Sequence, residues 1–187
     1  MLSGLSKQRS LSSVTPAMLI GNSRLDPLSL GMMGMDNREA VIIDIGAVLT
    51  KVGYAGEFVP RAIIRTELLD DCRGETVKVF DDTISEEELY RRLVKFFREL
   101  FFKIYHLTLV RYLLTVAKDR RIVIVESILA RTSHRNAVAR VLFDAFDAPS
   151  VLFAPSHLLA TFSFGVSNAL VIDVGYSEAT VVPVIIH

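Results

Sequence analysis

The sequence predicts an α/β fold, a mixed sheet with flanking helices, and three observations carry that prediction. Short apolar runs separated by tight turns come first, apolar runs then alternate with helical periodicities, and an apolar strand ending in Asp-apolar-Gly occurs twice. The 187 residues are 51% hydrophobic and 22% charged, which suffices for a buried core and excludes general disorder.

Ala40 to Ile45 (AVIIDI) is a continuous apolar run holding one Asp, as a buried strand requires, and Gly46 breaks it. Thr50 to Tyr54 and Arg61 to Thr66 follow as second and third strands, divided by Gly56 and Pro60; such short connections favour an antiparallel meander. Residues 67 to 84 are polar, with Asp70, Asp71, Gly74, Asp81 and Asp82 around a weak strand at Thr76 to Phe80.

Ser85 before Glu86, Glu87 and Glu88 predicts a helix start. The serine hydroxyl caps a backbone N–H, Glu88 sits at the capping-box position, and the acids oppose the helix dipole. Leu89, Leu93, Phe96, Phe97, Leu100 and Ile104 give that helix an apolar face, and the periodicity runs to about Ala117 as one helix or two. Ile122 to Val125 is a buried strand. Thr132 or Ser133 is expected to cap a helix carrying Val138, Val141, Leu142 and Phe146, stopped by Pro149. Val151 to Ala154 is another strand, Pro155 and Ser156 open a short helix ending at Gly165, and Ala169 to Val174 and Ala179 to Ile185 form a second hairpin. The order is βββ, α, β, α, β, α, then that hairpin.

Composition excludes several functions. Twenty-one basic residues balance twenty-one acidic ones, so no chain-wide footprint for nucleic acid exists. The single Cys72 excludes an internal disulfide, and His106, His134, His157 and His187 are scattered, without zinc-ligand spacing. Mean hydropathy is +0.40, yet the most apolar stretch, Leu93 to Ala117, holds Lys95, Arg98, Glu99, Lys103, His106 and Arg111. That spacing of charges describes an amphipathic helix, not a membrane span. Residues 1 to 38 are rich in Ser, Leu, Met and Gly and carry no acid before Asp26; they are expected to be a disordered extension, with an organelle transit peptide as the competing reading.

The repeat has chemical content. Ala40-Val41-Ile42-Ile43-Asp44-Ile45-Gly46 returns as Ala169-Leu170-Val171-Ile172-Asp173-Val174-Gly175. An acid at a strand end can face a ligand's metal ion through water, and the glycine beside it lets backbone N–H groups approach phosphate. Two such turns, facing one another, would hold a phosphate tail from both sides. Other polar residues have simpler readings. His134 is a capping or surface residue, His157 a packing residue, Cys72 an incidental loop thiol, and the Glu86–Glu88 acids a helix N-terminus. Phe96, Phe97, Phe101 and Phe102 belong to a core, not to a nucleic-acid stacking platform.

Asp44-Ile45-Gly46-Ala47-Val48-Leu49-Thr50-Lys51-Val52-Gly53-Tyr54-Ala55-Gly56-Glu57, continuing to Pro60-Arg61, closely resembles the first phosphate loop of actin and the actin-related proteins. Asp173-Val174-Gly175 resembles their second loop. Residues 120–127, 140–143 and 148–157 are similar to the divergent actin-related subunits at the pointed end of dynactin, the activator of the dynein motor. The resemblance covers about Ala40 to Val184 and implies an actin-like ATPase (ribonuclease H-like) lobe. It implies ATP or ADP with magnesium as ligand, with Asp44 and Asp173 ordering the metal's water shell, Lys51 on phosphate, and Gly46 and Gly175 as backbone approaches.

The departures from the family sequence matter equally. Ala47 and Val48 stand where the family has Ser and Gly, Tyr176 and Ser177 replace Asp and Gly, and Ser156 takes the place of the glutamine that orients water. The expectation is little or no ATP hydrolysis and no enzymatic role. By resemblance the chain is a cytoplasmic, cytoskeletal subunit capping the pointed end of dynactin's actin-related filament and contacting the pointed-end proteins, with neither nucleic acid nor a membrane span involved. An active ATPase or sugar-kinase-like enzyme of the same fold is the alternative. Set against the family it resembles, the chain would keep only residues 67–84 for the lobe that contacts the next subunit, would lengthen the helix region by residues 101–110, and would lack the second lobe after His187. A short isoform or a truncated, non-functional product is therefore also expected as a possibility.

Overall fold

Strands distant in sequence pair in parallel to make the centre of the molecule, and local hairpins are added around them. The computed structural model describes residues 38–70, 74–102, 113 and 115–186, which belong to the compact unit Asn37–His187. The extension at residues 1–37, Cys72, residues 103–112 of the expected helical region and His187 lie outside the described residues, and the end of that region is not α-helical, Ala117 opening a short 3-10 turn.

The elements run β1 (Val41–Ile45), β2 (Leu49–Tyr54), β3 (Ala62–Arg65), β4 (Glu67–Leu69), β5 (Thr76–Lys78), α1 (Glu86–Phe102), β6 (Ile122–Glu126), α2 (Thr132–Asp144), β7 (Val151–Pro155), α3 (Ser156–Phe164), β8 (Asn168–Val174) and β9 (Ala179–Ile185). The main sheet has five strands in the order β3-β2-β1-β6-β7, antiparallel across the meander and parallel from β1 through β6 to β7. This is the mixed sheet expected from a meander followed by alternating strands and helices. β4 with β5 and β8 with β9 form separate antiparallel pairs.

Val41 and Ile43 of β1, Val52 of β2 and Ile122 and Ile124 of β6 are buried on the face toward the helices. α1 supplies Leu93, Phe96, Phe97 and Leu100 to the same core, and α2 supplies Val138, Val141 and Leu142. Phe97 meets Phe146 edge-on, ring centres 6.2 Å apart, so the chain just past α2 is fixed against α1. Of the phenylalanines read as core, Phe96, Phe97 and Phe101 are buried, Phe101 against Phe146, and the side chain of Phe102 lies outside the described residues.

Three local expectations need correction. Residues 67–84 read as polar with one weak strand at Thr76 to Phe80, but Glu67–Leu69 also forms a strand, β4, because Leu68 buries its side chain in the core while its backbone pairs with Val77. The cap of α2 is neither Thr132 nor Ser133. Arg131 occupies that position without a side-chain bond to the helix, and its guanidinium pairs with Asp82 instead. α2 also ends before Pro149 requires it: the helix closes at Ala145, and Asp147 takes a left-handed turn with φ 52.

Ser85 does cap α1, its Oγ accepting the Glu88 N–H at 3.2 Å. Just upstream, Asp81 accepts both the hydroxyl and the N–H of Thr83, and these bonds hold its carboxyl below the ordinary carboxylate range. Gly165 ends α3 with φ 65, as its position after the helix predicted.

Candidate functional site: two matching strand turns

The first turn joins β1 to β2. Register pairs Ile45 with Thr50 and Asp44 with Lys51, leaving residues 46–49 to reverse the chain. The Gly46 N–H donates to the Leu49 carbonyl at 3.0 Å. A Cβ at Gly46 would stand 2.7 Å from that same carbonyl oxygen, so the turn closes only with glycine.

The second turn repeats this construction. Val174 pairs with Ala179 and Asp173 with Thr180, residues 175–178 reverse the chain, and the Gly175 N–H donates to the Glu178 carbonyl at 2.8 Å. The sequence echo is thus an echo of register and hydrogen bonding. In both turns the acid lies two residues before the glycine, at the last strand position but one.

The turns differ in their surroundings. Below the first, Thr50 and Thr66 are fully enclosed. The Thr66 hydroxyl donates to the Gly46 carbonyl at 2.9 Å and lies 2.9 Å from Thr50 Oγ1. Because its single proton is committed to Gly46, the Thr50 hydroxyl is the donor between the two. Thr66 also donates its N–H to the Val48 carbonyl at 2.8 Å. Neither Thr50 nor Thr66 was singled out from the sequence. Their only signal there is a hydroxyl among apolar strand residues, and nothing in the spacing brings position 66 to position 46.

Lys51 Nζ lies 2.8 Å from Asp44 Oδ2, with both side chains substantially exposed. The sequence reading gave these residues separate roles, on phosphate and on the metal's water shell. The cross-strand register makes them partners. An exposed pair of this kind is worth little in water, so either partner can exchange it for a ligand at small cost. The Asp173 carboxylate is exposed and makes no hydrogen bond or ion pair among the described residues.

The donor set fits a phosphate group. The N–H groups of Ala47 and Val48, and of Tyr176 and Ser177, meet no acceptor among the described residues, and Lys51 adds a nearby ammonium. Among the described residues no three His, Cys, Asp or Glu side chains converge on a metal position. A magnesium ion would be held through its waters by Asp44 or Asp173, a mode that suits an ion slow to give up its hydration shell. No described hydrogen bond or ion pair joins the two turns. The turns belong to different sheets, β8 and β9 pairing with each other and not with the main sheet.

The remaining singled-out residues fall elsewhere. Ser156 is the first residue of α3, and the Nδ1 of neighbouring His157 is enclosed without a hydrogen-bond partner among the described residues. His134 is not a cap: its ring packs on Phe80 with centres 4.9 Å apart, and its Nε2 lies 3.6 Å from Asp82 Oδ1. No helix among the described residues is long and apolar enough to cross a membrane.

The sequence matches the Actin family over residues 35–186. Among curated proteins, it is similar to actin-related protein 4 of Candida albicans, 26% identical over 81% of this chain and 34% of the relative. It is also similar to actin-related protein 10 of Dictyostelium discoideum, 29% identical over 80% of this chain and 35% of the relative. Human actin-like protein 7B is 24% identical over 78% of this chain and 39% of its own length. The chain thus spans about a third of the length of these relatives. With the family matched across every element from β1 to β9, and both strand turns in place, this chain belongs to the actin family.

Proposed function

We propose that the chain is an actin-related structural subunit whose phosphate turns hold a nucleotide without hydrolysing it, and that it serves at the pointed end of dynactin's actin-related filament. The observation that carries the first part is the pairing of intact turn geometry with altered chemistry. Gly46 and Gly175 make the same kind of turn bond, yet Ala47 lacks the hydroxyl and Tyr176 the carboxylate that family members place there, and Val48 and Ser177 stand at family glycines. Backbone N–H groups and Lys51 suffice to bind phosphate; hydrolysis also needs an oriented water and stabilised developing charge. Ser156, at the start of α3, carries no amide to orient that water.

Magnesium supplies charge neutralisation at the phosphates when bound. This chain's own part is to orient them with N–H groups, and to offer Asp44 and Asp173 to the metal's waters. The filament-end reading is supported by similarity in residues 120–127, 140–143 and 148–157, and by the small β4–β5 hairpin at the place of a larger interface lobe.

Affinity purification of the tagged chain from its own cells, read by mass spectrometry, tests the assembly. Dynactin filament subunits and pointed-end proteins are the expected companions, and their absence beside another actin-containing assembly removes the filament-end reading. Phosphate release from Mg-ATP tests the chemistry: the wild type should match a Ser156→Ala control, and a rate clearly above that control argues for the enzyme.

A further inference from the structure

Thr66 stands where three pieces of backbone meet. It lies between β3 and β4, is enclosed within the fold, and uses every polar group it has. Its hydroxyl holds the Gly46 carbonyl at 2.9 Å and its N–H holds the Val48 carbonyl at 2.8 Å, so two residues of the first turn hang on it. Its own carbonyl accepts the Val79 N–H at 3.3 Å, just past the end of β5. Two residues further on, Leu68 anchors β4 in the core.

We propose that Thr66 is a positioning residue that couples the first phosphate turn to the β4–β5 hairpin. Whatever fixes one then fixes the other. The Gly46 carbonyl has no other partner among the described residues, and the Thr50 hydroxyl donating to Thr66 Oγ1 orients the Thr66 hydroxyl toward it. The connection is short, made of the Thr66 hydroxyl and its own backbone groups. Displacing the turn by a fraction of an ångström therefore moves the residue that leads into β4 and receives Val79.

Coupling of this kind is reciprocal. If phosphate on the Ala47 and Val48 N–H groups orders the hairpin, a protein docked on the hairpin must raise affinity for phosphate by the same factor. The inference rests on the reading of this turn as a phosphate site, and its test separates the two ideas.

The experiment is hydrogen exchange by mass spectrometry on the full chain, with and without Mg-ATP, for wild type, Thr66→Ser and Thr66→Val. In wild type and Thr66→Ser, Mg-ATP should slow exchange in peptides covering 46–49 and also in those covering Val79. In Thr66→Val, which keeps the Thr66 N–H bond to Val48 but loses the hydroxyl bond to Gly46, the second response should be clearly smaller than in Thr66→Ser. A hairpin response as large in Thr66→Val as in Thr66→Ser, or one absent in wild type while the turn responds, overturns the coupling.

If Mg-ATP slows neither region, the phosphate reading fails, and the coupling is decided without ligand. Thr66→Val should then speed exchange at both Gly46 and Val79 by about tenfold over Thr66→Ser, the loss of roughly one hydrogen bond, with α2 unchanged. Equal rates refute it. Should Thr66→Val fold poorly, Thr50→Val removes only the hydroxyl that orients Thr66, and the same comparison applies.

Discussion

Gly46 and Gly175 hold equivalent places in their turns, but the space around them is not equal. A Cβ at Gly46 meets a backbone oxygen at 2.7 Å, closer than real contacts allow, whereas at Gly175 the corresponding distance is 3.3 Å. Backbone cannot swing aside as a flexible side chain can. Gly46→Ala should therefore lower unfolding free energy by about 1–3 kcal/mol, and Gly175→Ala by clearly less, in urea titrations. Equal losses would mean that both turns yield alike. His134 gives a second expectation. Burial pushes its imidazole below the ordinary 6.5, with Asp82 pulling it partly back and Arg131 adding to the drop. Between 6.5 and that lower folded value the unfolded chain binds the proton first, so stability falls as pH falls through this window. Above 6.5 both states are neutral and the residue contributes no slope. His134→Gln should flatten that part of the stability profile, and an unchanged slope assigns it to other groups.

At the scale of elements, Ser85 is the cap whose removal can be read most cleanly. Ser85→Ala frees the Glu88 N–H at the start of α1 and should cost about 1 kcal/mol by chemical denaturation. A loss near zero would place the helix start under the control of core packing alone. This cap was legible in the sequence because it is local: serine, three acids, then apolar spacing. Most strands were legible for the same reason, since β1, β6 and β7 are apolar runs bounded by turn residues and β2 lies between Gly46 and Gly56. β4 was not, because three residues with one buried leucine leave no period, and only its pairing with β5 makes a strand of them. Nor was the true cap position of α2, where Arg131 is drawn to Asp82, distant in sequence. At the turn itself the glycines and acids stood out by repetition. The Asp44–Lys51 pair and the threonines beneath depend on register, which no single segment encodes.

Across the whole molecule the two turns sit in different company. β1 and β2 are built into a sheet covered by α1 and α2, whereas β8 and β9 turn Ala169, Val171, Val182 and Val184 inward beside α3 and leave their other face bare. On that bare face Leu170, Ile172 and Val181 are each more than 60% exposed. Contiguous apolar surface of this sort attracts hydrophobic probes. The chain should enhance the fluorescence of an anilinonaphthalene dye, and Ile172→Lys with Val181→Lys should abolish most of that signal while the circular dichroism stays the same. A signal that survives the double substitution comes from elsewhere. The central sheet has a different consequence, one for biosynthesis. β1 pairs along one side with β2 a few residues later, but its other side waits for β6, with Val41 aligned to Ile122. Roughly 80 residues must be translated in between, on the order of 4–16 s at ordinary elongation rates. For that interval a nascent meander presents one open, apolar strand edge beside the ribosome, the kind of edge that pairs with whatever strand arrives first. The molecule's middle is therefore its most vulnerable part during synthesis, and nascent-chain chaperones would find their target at β1.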